Sequence, residues 1–280
     1  MLRIITDSAA DVPAEWQKEF DIQVMPANIE FAERVYRPGE DLDVETFYRI
    51  VDQTRQIPKT SPPSAQQFID FYRKIASRGD TILSIHITGK LSKTLDSAIS
   101  AARELEGEFN IIPIDSLNGT AGIGMICRDA RIQERAGKSV EEIVKHIEEI
   151  RSKIGIVLTL DTLEYARMSG RVGRLRATLA TFLNLKPIVM LIDGSLEMVE
   201  RVRSREDSLD RLLTIVKEEV GDRPVNMVVV HARDPQAGKQ LMERARGMFN
   251  VRELILNDLS ISVAANLGPG TVGIAYYPLE

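Results

Sequence analysis

Short apolar segments alternate with helix-forming segments through the first half of the chain, and this alternation constrains the fold more than any other sequence feature. A strand, a helix and a further strand in succession are typical of right-handed βαβ crossovers, which build a parallel sheet. Asp43 and Ser139 stand at N-cap positions, and Glu142 completes a capping-box pattern with Ser139. The predicted strands are 2–6, 21–31, 80–87 and 109–115. The predicted helices are 13–20, 43–54, 64–77, 92–104, 120–136 and 139–152.

The second half of the chain follows a different pattern. Asp193-Gly194 separates two strand-like segments, which is a strong signal for a two-residue β-hairpin that a purely parallel sheet does not need. The other predicted elements are strands 154–160, 225–232, 251–257 and 272–278 and helices 206–219 and 235–246. We therefore predict a two-domain α/β protein. Residues 1–153 form a mostly parallel, doubly wound domain, and residues 154–280 form an α/β domain with a mixed or antiparallel sheet.

Five loops carry small hydroxyl or glycine residues, and we expect them to leave the carboxyl ends of strands. Open α/β sheets bind their ligands at these ends. The loops are 6–11, 60–64, 87–94, 115–124 and 266–270. If both domains direct these loops at one cleft, that cleft is rich in neutral hydrogen-bond donors and poor in catalytic bases. The pattern favours binding over catalysis.

Composition narrows the class of protein. Apolar residues make up 44% and charged residues 28% of the chain, which is typical of globular proteins. No apolar run approaches the roughly 18 residues that span a bilayer, so we expect no stable membrane insertion. Asp7 interrupts the first apolar segment, which argues against a signal peptide, and the single cysteine fits a reducing compartment. We predict a cytoplasmic protein.

Charge is distributed unevenly along the chain. The net charge is −5, which argues against nucleic acid as a partner. Between residues 167 and 205, eight basic residues face three acidic ones. The basic residues are Arg167, Arg171, Arg174, Arg176, Lys186, Arg201, Arg203 and Arg205. This local excess indicates either an anionic ligand or partner, or a solvated charged face.

Catalytic and metal-binding patterns are lacking in the sequence. The three histidines are far apart, no HExxH or CxxC spacing occurs, and no GxSxG segment marks a serine nucleophile. We expect His86 and His231 to be structural, His146 to be solvated, and Cys127 to be buried and unreactive. We therefore predict neither a metal ion nor a cofactor.

Two further features have ordinary structural explanations. Asp7 and Asp11 are expected to act as turn and cap residues rather than as a magnesium-binding pair. The glycines of 119–124 stand at the start of a predicted helix. They are compatible with anion binding by backbone N–H groups and equally with close helix packing.

The segment 59–68, KTSPPSAQQF, places Thr60, Ser61 and Ser64 around two prolines with no acid, histidine or cysteine nearby to activate a hydroxyl. Together with seven other segments it resembles the DegV family, in that family's order along the whole chain. The matching segments are TDSAADVP, TSPPS, LSKTLDSA, IDSLNGTAGIG, LEYARMSGRVGR, LNLKPI, DGSLEMVERVRSR and NLGPGTVGIAY. The resemblance implies a two-domain α/β protein that holds one long-chain fatty acid between its domains. It also implies a carrier without catalytic residues, which presents the acyl carboxylate to a separate ATP-dependent fatty acid kinase for acyl-phosphate formation and phospholipid synthesis.

The same resemblance assigns roles to individual residues. Thr60 and Ser61 match the family's TS pair, Ser92 matches the serine of its LSGT loop, and Arg171 matches the arginine of its GGRIG motif. All four are expected to bind the fatty acid carboxylate, and Pro62-Pro63 would stiffen the loop. Arg203 and Arg205 match the basic VRxR motif and are expected to face the kinase or its phosphates.

Two positions depart from the family pattern. Asn266 stands where the family has a carboxylate-binding histidine; it can donate a hydrogen bond but cannot change protonation near neutral pH. Lys93 replaces the glycine of LSGT and either attracts the carboxylate or points to solvent. Phosphate-transfer competence is therefore more in question than lipid binding. Two alternatives stay open: a transferase or kinase-like enzyme acting on a small metabolite, and a lipid sensor.

Overall fold

A computed structural model describes residues 1–31, 34–171 and 185–280. These residues form two compact units, Met1–Ser152 and Lys153–Glu280. The strands of the first unit are β1 (Leu2–Asp7), β2 (Ile22–Met25), β3 (Asn28–Phe31), β4 (Arg34–Tyr36), β5 (Lys59–Ser61), β6 (Thr81–His86) and β7 (Asn110–Asp115). Its helices are α1 (Ala14–Glu19), α2 (Val44–Thr54), α3 (Ala65–Ile75), α4 (Thr94–Glu104), α5 (Thr120–Arg135) and α6 (Val140–Ile150).

The second unit continues the numbering. Its strands are β8 (Gly155–Thr159), β9 (Lys186–Ile192), β10 (Ser195–Val202), β11 (Val225–His231), β12 (Val251–Asp258) and β13 (Val272–Pro278). Its helices are α7 (Glu164–Ser169), α8 (Arg205–Val220), α9 (Pro235–Met248) and α10 (Ile261–Leu267).

A four-stranded, fully parallel sheet organises the first unit, in the order β2-β1-β6-β7. Ile4 and Ile5 point to opposite faces of β1, and neither is exposed to solvent. Both faces are therefore covered, as the doubly wound prediction requires. On one face, Ile5 packs with Phe68 and Tyr72 of α3 and with Ala98 of α4.

A second, three-stranded antiparallel sheet in the first unit, in the order β4-β3-β5, was not predicted. The segment 21–31, predicted as one strand, is two strands in different sheets. Pro26 lacks a backbone N–H, and the N–H of Ala27 donates to the Ser8 hydroxyl at 2.9 Å instead of to a neighbouring strand. The chain therefore leaves the parallel sheet after Met25.

The second unit has a six-stranded mixed sheet, in the order β10-β9-β8-β13-β11-β12. The β11–β12 pair is parallel, and the other neighbours are antiparallel. The predicted hairpin is confirmed, because Asp193 and Gly194 have positive φ values of 49° and 76° and join β9 to β10. The β10 register shifts between Met198 and Glu200, which places a bulge on the strand that is outermost in this sheet among the described residues.

Local capping explains where the long helices begin. The Asp43 carboxylate accepts from the Thr46 N–H at 2.7 Å, and Ser139 forms the predicted capping box with Glu142 before α6. In the second unit, α8 and α9 pack on the sheet through Leu212 and Leu241. Within the described ranges, no helix combines the length and the apolar character needed to cross a bilayer.

Candidate ligand-binding site

Three of the five predicted loops leave the carboxyl edge of the parallel sheet. They follow the adjacent strands β1, β6 and β7, so this part of the prediction is confirmed. The segment 60–64 also leaves the carboxyl end of a strand, but that strand is β5 of the three-stranded sheet. The placement of 266–270 was wrong, because this segment follows helix α10, whose seven residues are too few to show a periodic pattern.

The loop after β6 carries Ser92 and has a fixed backbone. The N–H of Ile87 donates to Asp7 Oδ2 at 3.0 Å, and the N–H of Gly89 donates to Asp115 Oδ2 at 3.2 Å. The Ser92 N–H donates to the Thr88 carbonyl at 3.2 Å. Two carboxylates from the neighbouring strands thus hold the loop, and Ser92 enters α4 in a defined position.

The Ser92 hydroxyl lies 2.8 Å from the Thr94 hydroxyl, at the start of α4. Because a hydroxyl has one donor and two acceptor positions, this pair can still offer a donor to a ligand. Lys93, between them, pairs with Asp96 at 3.1 Å, and its side chain is 76% exposed. Of the two readings of Lys93, the structure supports the solvent-facing one.

Thr60 and Ser61 point to opposite faces of the three-stranded sheet. Thr60 pairs with Ile29 and Ser61 with Asn28, and paired residues share a face. Thr60 therefore lies on the face of the fully buried Ile29. The Ser61 hydroxyl donates to Glu30 Oε1 at 2.7 Å on the other face. The two hydroxyls do not converge.

The prolines after Ser61 connect β5 to α3. Asn28 Nδ2 donates to the Pro62 carbonyl at 3.1 Å, and Ser64 caps α3 in a capping box with Gln67. Ser64 is thus a helix cap. β3 begins three residues after the last residue of β2, so the three-stranded sheet is connected to the carboxyl edge of the parallel sheet. Because β5 pairs with β3, β5 lies next to the carboxyl edge of the parallel sheet, which is also the edge that the Ser92 loop leaves.

In the second unit, α7 packs against α10, and this packing brings together the segments that carry Arg171 and Asn266. Asn266 Nδ2 donates to the Ser262 carbonyl at 2.7 Å, and Arg171 Nη1 donates to the Ser169 carbonyl at 2.9 Å. Partial burial lowers the pKa of the Arg171 guanidinium from its ordinary value. Because its partial burial leaves the guanidinium charge incompletely solvated, an anionic neighbour would stabilise it.

Arg203 and Arg205 have different environments. Arg203 is exposed in the turn between β10 and α8. Arg205 Nη2 donates to Asp234 Oδ2 at 2.6 Å and also to the Gly270 carbonyl. Arg174 and Arg176, part of the basic segment, lie outside the described residues.

Sequence reasoning missed a buried chain of hydrogen bonds in the first unit. Asp7 Oδ2 lies 3.0 Å from His86 Nδ1, and His86 Nε2 lies 2.6 Å from the Ser84 hydroxyl, which lies 2.8 Å from the Tyr72 hydroxyl. Ser84 and His86 share a face because they alternate along β6. The sequence signal for this chain of bonds was the alternation of Ser84 and His86 in β6, together with Asp7 at the end of the neighbouring strand β1.

The order Asp7, His86, Ser84 is that of an acid, a base and a nucleophile. Ser84 and His86 are completely buried, however, and the Ser84 hydroxyl is already engaged by Tyr72. Burial also raises the pKa of Tyr72. A substrate has no access to this serine, so the chain of bonds is structural, and His86 is satisfied as predicted.

The other two histidines, His146 and His231, differ in how closely they match the predictions. His146 is not simply solvated, because its Nε2 bonds to Asp129. His231 packs against Gly238, and its Nδ1 lies 3.2 Å from Asp258 Oδ1 without hydrogen-bond geometry. In the part of the chain that the structure describes, no three His, Cys, Asp or Glu side chains form a potential metal site.

The acidic and glycine-rich segments near β1 also differ in part from expectation. Asp7 acts as the predicted cap by accepting from the Ala9 N–H at 2.9 Å. Asp11 does not cap α1, whose N-cap is Pro13, but accepts from the Thr120 hydroxyl. The first turn of α5 is buried, and a Cβ on Gly124 would lie 3.1 Å from the Ala10 carbonyl. Close packing therefore explains these glycines better than anion binding.

Comparison with known proteins identifies the family of this chain. The sequence model of the family described as "Uncharacterised protein, DegV family" matches residues 1–279. The chain belongs to the DegV family. A DegV domain-containing protein of Listeria monocytogenes is 31% identical over 277 residues, which cover 99% of this chain and 98% of that protein.

Solved structures of DegV family proteins share the fold. A fatty-acid-binding DegV family protein of Thermus thermophilus is 29% identical, with a TM-score of 0.88 over 99% of both chains. A stearic-acid-binding protein of Eubacterium ventriosum is 27% identical, with a TM-score of 0.92 over 99% of this chain and 98% of that one. The predicted fold class, with a parallel sheet in the N-terminal part and a mixed sheet in the C-terminal part, is confirmed.

Proposed function

We propose that this DegV family protein binds one long-chain fatty acid and presents its carboxylate to a separate ATP-dependent kinase, which forms the acyl phosphate. The supporting observation is the full-length similarity to two fatty-acid-binding proteins, at TM-scores of 0.88 and 0.92. The cytoplasm, where ATP is available and a single buried cysteine stays reduced, is the location that this proposal requires.

The head group would be held by hydrogen-bond donors rather than by a nucleophile. We assign this role to Thr60, Ser92, Arg171 and Asn266. Hydrogen bonds to a carboxylate are roughly twice as strong as those between neutral groups, so a few suffice to orient it. Ser61 can join them only if Glu30 releases its hydroxyl.

The acyl tail would supply most of the affinity. Each buried CH₂ contributes about 0.8 kcal/mol, so half of a sixteen-carbon chain gives roughly 6 kcal/mol before ordering costs. The donors that bind the head group then determine its orientation. A bound acid oriented in this way is a substrate ready for a second protein.

Catalysis is assigned to the partner. The one acid–base–nucleophile chain that we found among the described residues is closed to solvent at Ser84 and His86. The exposed Arg203 is available for a kinase or its phosphates, which arginine binds in bidentate fashion. This protein therefore acts as the carrier in the proposed reaction.

Native mass spectrometry of the freshly purified protein, followed by solvent extraction and lipid identification, tests lipid binding. We expect a mass excess equal to one long-chain fatty acid, and no turnover or nucleotide binding by the isolated chain. A bare chain that takes up no added stearic acid would refute the proposal and favour an enzyme of small metabolites.

The kinase step is tested separately. The lipid-loaded protein is incubated with ATP and an extract of the cells that produce it, and acyl phosphate is trapped with hydroxylamine as the hydroxamate. We expect hydroxamate that depends on both ATP and the loaded protein. A loaded protein that yields none under conditions where a known carrier does would indicate a lipid sensor.

A further inference from the structure

We infer that Arg205 is a positioning residue, which fixes the turn 268–270 after α10 and thereby the orientation of Asn266, rather than a residue that docks a kinase. This inference deepens the proposed function, since it rests on Asn266 binding the fatty acid carboxylate. The VRxR motif implies that both Arg203 and Arg205 dock the kinase. The inference assigns docking to Arg203 alone.

One guanidinium joins three segments of the second unit. Arg205 is the first residue of α8. Its Nη2 donates to Asp234 Oδ2 at 2.6 Å and to the Gly270 carbonyl. Asp234 is itself fixed, because its other oxygen accepts from the Ala237 N–H at 3.1 Å and caps α9. Arg205 thus ties the turn after α10 to the start of two long helices.

The turn 268–270 is tightly enclosed. Gly268 and Gly270 have positive φ values of 87° and 78°, which favour glycine. A Cβ at Gly268 would lie 2.8 Å from the Tyr165 ring, and one at Gly270 would lie 2.6 Å from Asp161. The Gly270 N–H donates to the Ala232 carbonyl at 2.7 Å. The bond from Arg205 to the Gly270 carbonyl completes this enclosure.

Asn266 lies directly before this turn, in the last turn of α10. The Gly268 N–H closes the helix by donating to the Ala264 carbonyl at 2.8 Å. A rotation of 268–270 would strain this bond, and we therefore expect it to displace the end of α10, which carries Asn266. A donor held in place before the ligand arrives loses less entropy on binding.

Arg203 and Arg205 differ in solvent exposure. A docking residue must reach its partner, and Arg203 is exposed. The Arg205 side chain is 25% exposed, and its Nη2 already serves a carboxylate and a carbonyl. Recruiting Arg205 to a kinase would break both bonds and release the turn that holds Asn266.

The test compares Arg205→Ala and Arg205→Lys with a control at an exposed arginine, Arg252→Ala, in the isolated protein without a kinase. Hydrogen exchange of residues 266–271 in the lipid-free protein reports the turn. Displacement of a fluorescent fatty acid by stearic acid reports the affinity of the site.

We expect Arg205→Ala to raise exchange locally at 266–271 and to weaken stearic acid binding by about tenfold, as expected for losing one charge-assisted hydrogen bond. Arg205→Lys should restore part of the protection from exchange and part of the affinity, because an ammonium keeps the positive charge and can replace at least one of the two contacts that Nη2 makes. Arg252→Ala should leave both the exchange and the affinity unchanged. If Arg205→Ala fails to fold, Arg205→Lys and Asp234→Asn carry the same comparison.

Each other outcome has a definite meaning. Unchanged exchange at 266–271 in Arg205→Ala overturns the positioning role, whatever the ligand. Increased exchange with unchanged stearic acid affinity overturns the link to Asn266. Increased exchange in a chain whose wild type binds no fatty acid supports the positioning of the turn and refutes the proposed function.

Discussion

At the scale of single residues, the direction of a side chain decides its role more than its chemical type does. Thr60 and Ser61 are adjacent and chemically similar, yet strand geometry sends them to opposite faces. The Ser61 hydroxyl already donates to Glu30, whereas Thr60 shares a face with the buried Ile29. Similar hydroxyls therefore do not contribute equally to one site.

This difference predicts unequal effects of mutation on lipid binding. Thr60→Val and Ser92→Ala should each weaken stearic acid binding by about tenfold or more, because each removes a hydrogen bond to a charged group. Ser61→Ala should change it much less. Fluorescent fatty acid displacement measures all three, and circular dichroism controls for folding. An equal loss in Ser61→Ala would show that Glu30 releases this hydroxyl to the ligand.

Cys127 gives a prediction that does not depend on lipid. The thiol is completely buried in α5, and this burial raises its pKa to about 12. The thiolate, which is the reactive form, is then nearly absent at neutral pH. We expect no reaction with Ellman's reagent in the native protein and one thiol per chain after denaturation. Rapid labelling of the native protein would contradict the buried position.

At the scale of secondary-structure elements, long helices and specific turn signals were the easiest features to predict. The long helices α5 and α6 show repeated apolar positions and were predicted, as was the hairpin with its Asp-Gly turn. The strands β4 and β5, with three residues each, and the helices α7 and α10 are too short for periodicity. Pro26 was a local signal for the break between β2 and β3, whereas no local pattern reveals the bond from Ala27 to Ser8, nineteen residues away.

The capping box of α6 predicts a pH-dependent contribution to stability. The Ser139 backbone N–H, and then Lys138, lower the pKa of Glu142 from its ordinary value. Because the folded pKa is the lower one, the contribution is complete above the unfolded pKa of about 4.3 and is lost as pH falls through the folded pKa.

Urea unfolding of the wild type and Glu142→Gln between about pH 6 and about pH 3 measures this contribution. We expect the stability advantage of the wild type to shrink towards acid pH. Glu148→Gln, at an exposed glutamate of the same helix, corrects for the general loss of a carboxylate. An advantage that stays constant with pH would contradict the role of the ionised Glu142.

At the scale of the whole molecule, each compact unit has its own apolar core. Ile5, Phe68 and Tyr72 belong to one cluster, whereas Leu212 and Leu241 belong to another. We propose that the two units, separated near residue 153, fold as domains on these cores. Trp16, the single tryptophan, is buried in the first unit and reports on that unit alone.

Gly273→Ala tests this division. A Cβ on Gly273 would lie 2.5 Å from the Val157 carbonyl, so overpacking should cost about 1–3 kcal/mol in the second unit. We expect the urea midpoint to fall by circular dichroism but not by Trp16 fluorescence. Gly247→Ala, with open space around the new methyl group, is the matched control and should stabilise by up to about 1 kcal/mol. An equal fall by both probes would contradict separate folding.

The candidate site was predictable in its residue types but not in its geometry. Motif resemblance identified Thr60, Ser92, Arg171 and Asn266, and the arrangement of strands after β1 and β6 followed from the βαβ pattern. The sequence does not show that Arg205 bonds to Gly270, because those residues are 65 positions apart. It equally hides the bond between Ser61 and Glu30, which depends on an unpredicted sheet.

The irregularity in β10 affects how this protein behaves at high concentration. An edge strand presents a row of peptide groups on which the edge of another molecule can add a strand, and this is a route to fibres. The shift between Met198 and Glu200 interrupts that row and increases the local twist, so a straight strand from a second copy cannot pair along its whole length. Because β10 is the outermost strand of its sheet among the described residues, we expect the bulge to oppose strand addition at this edge.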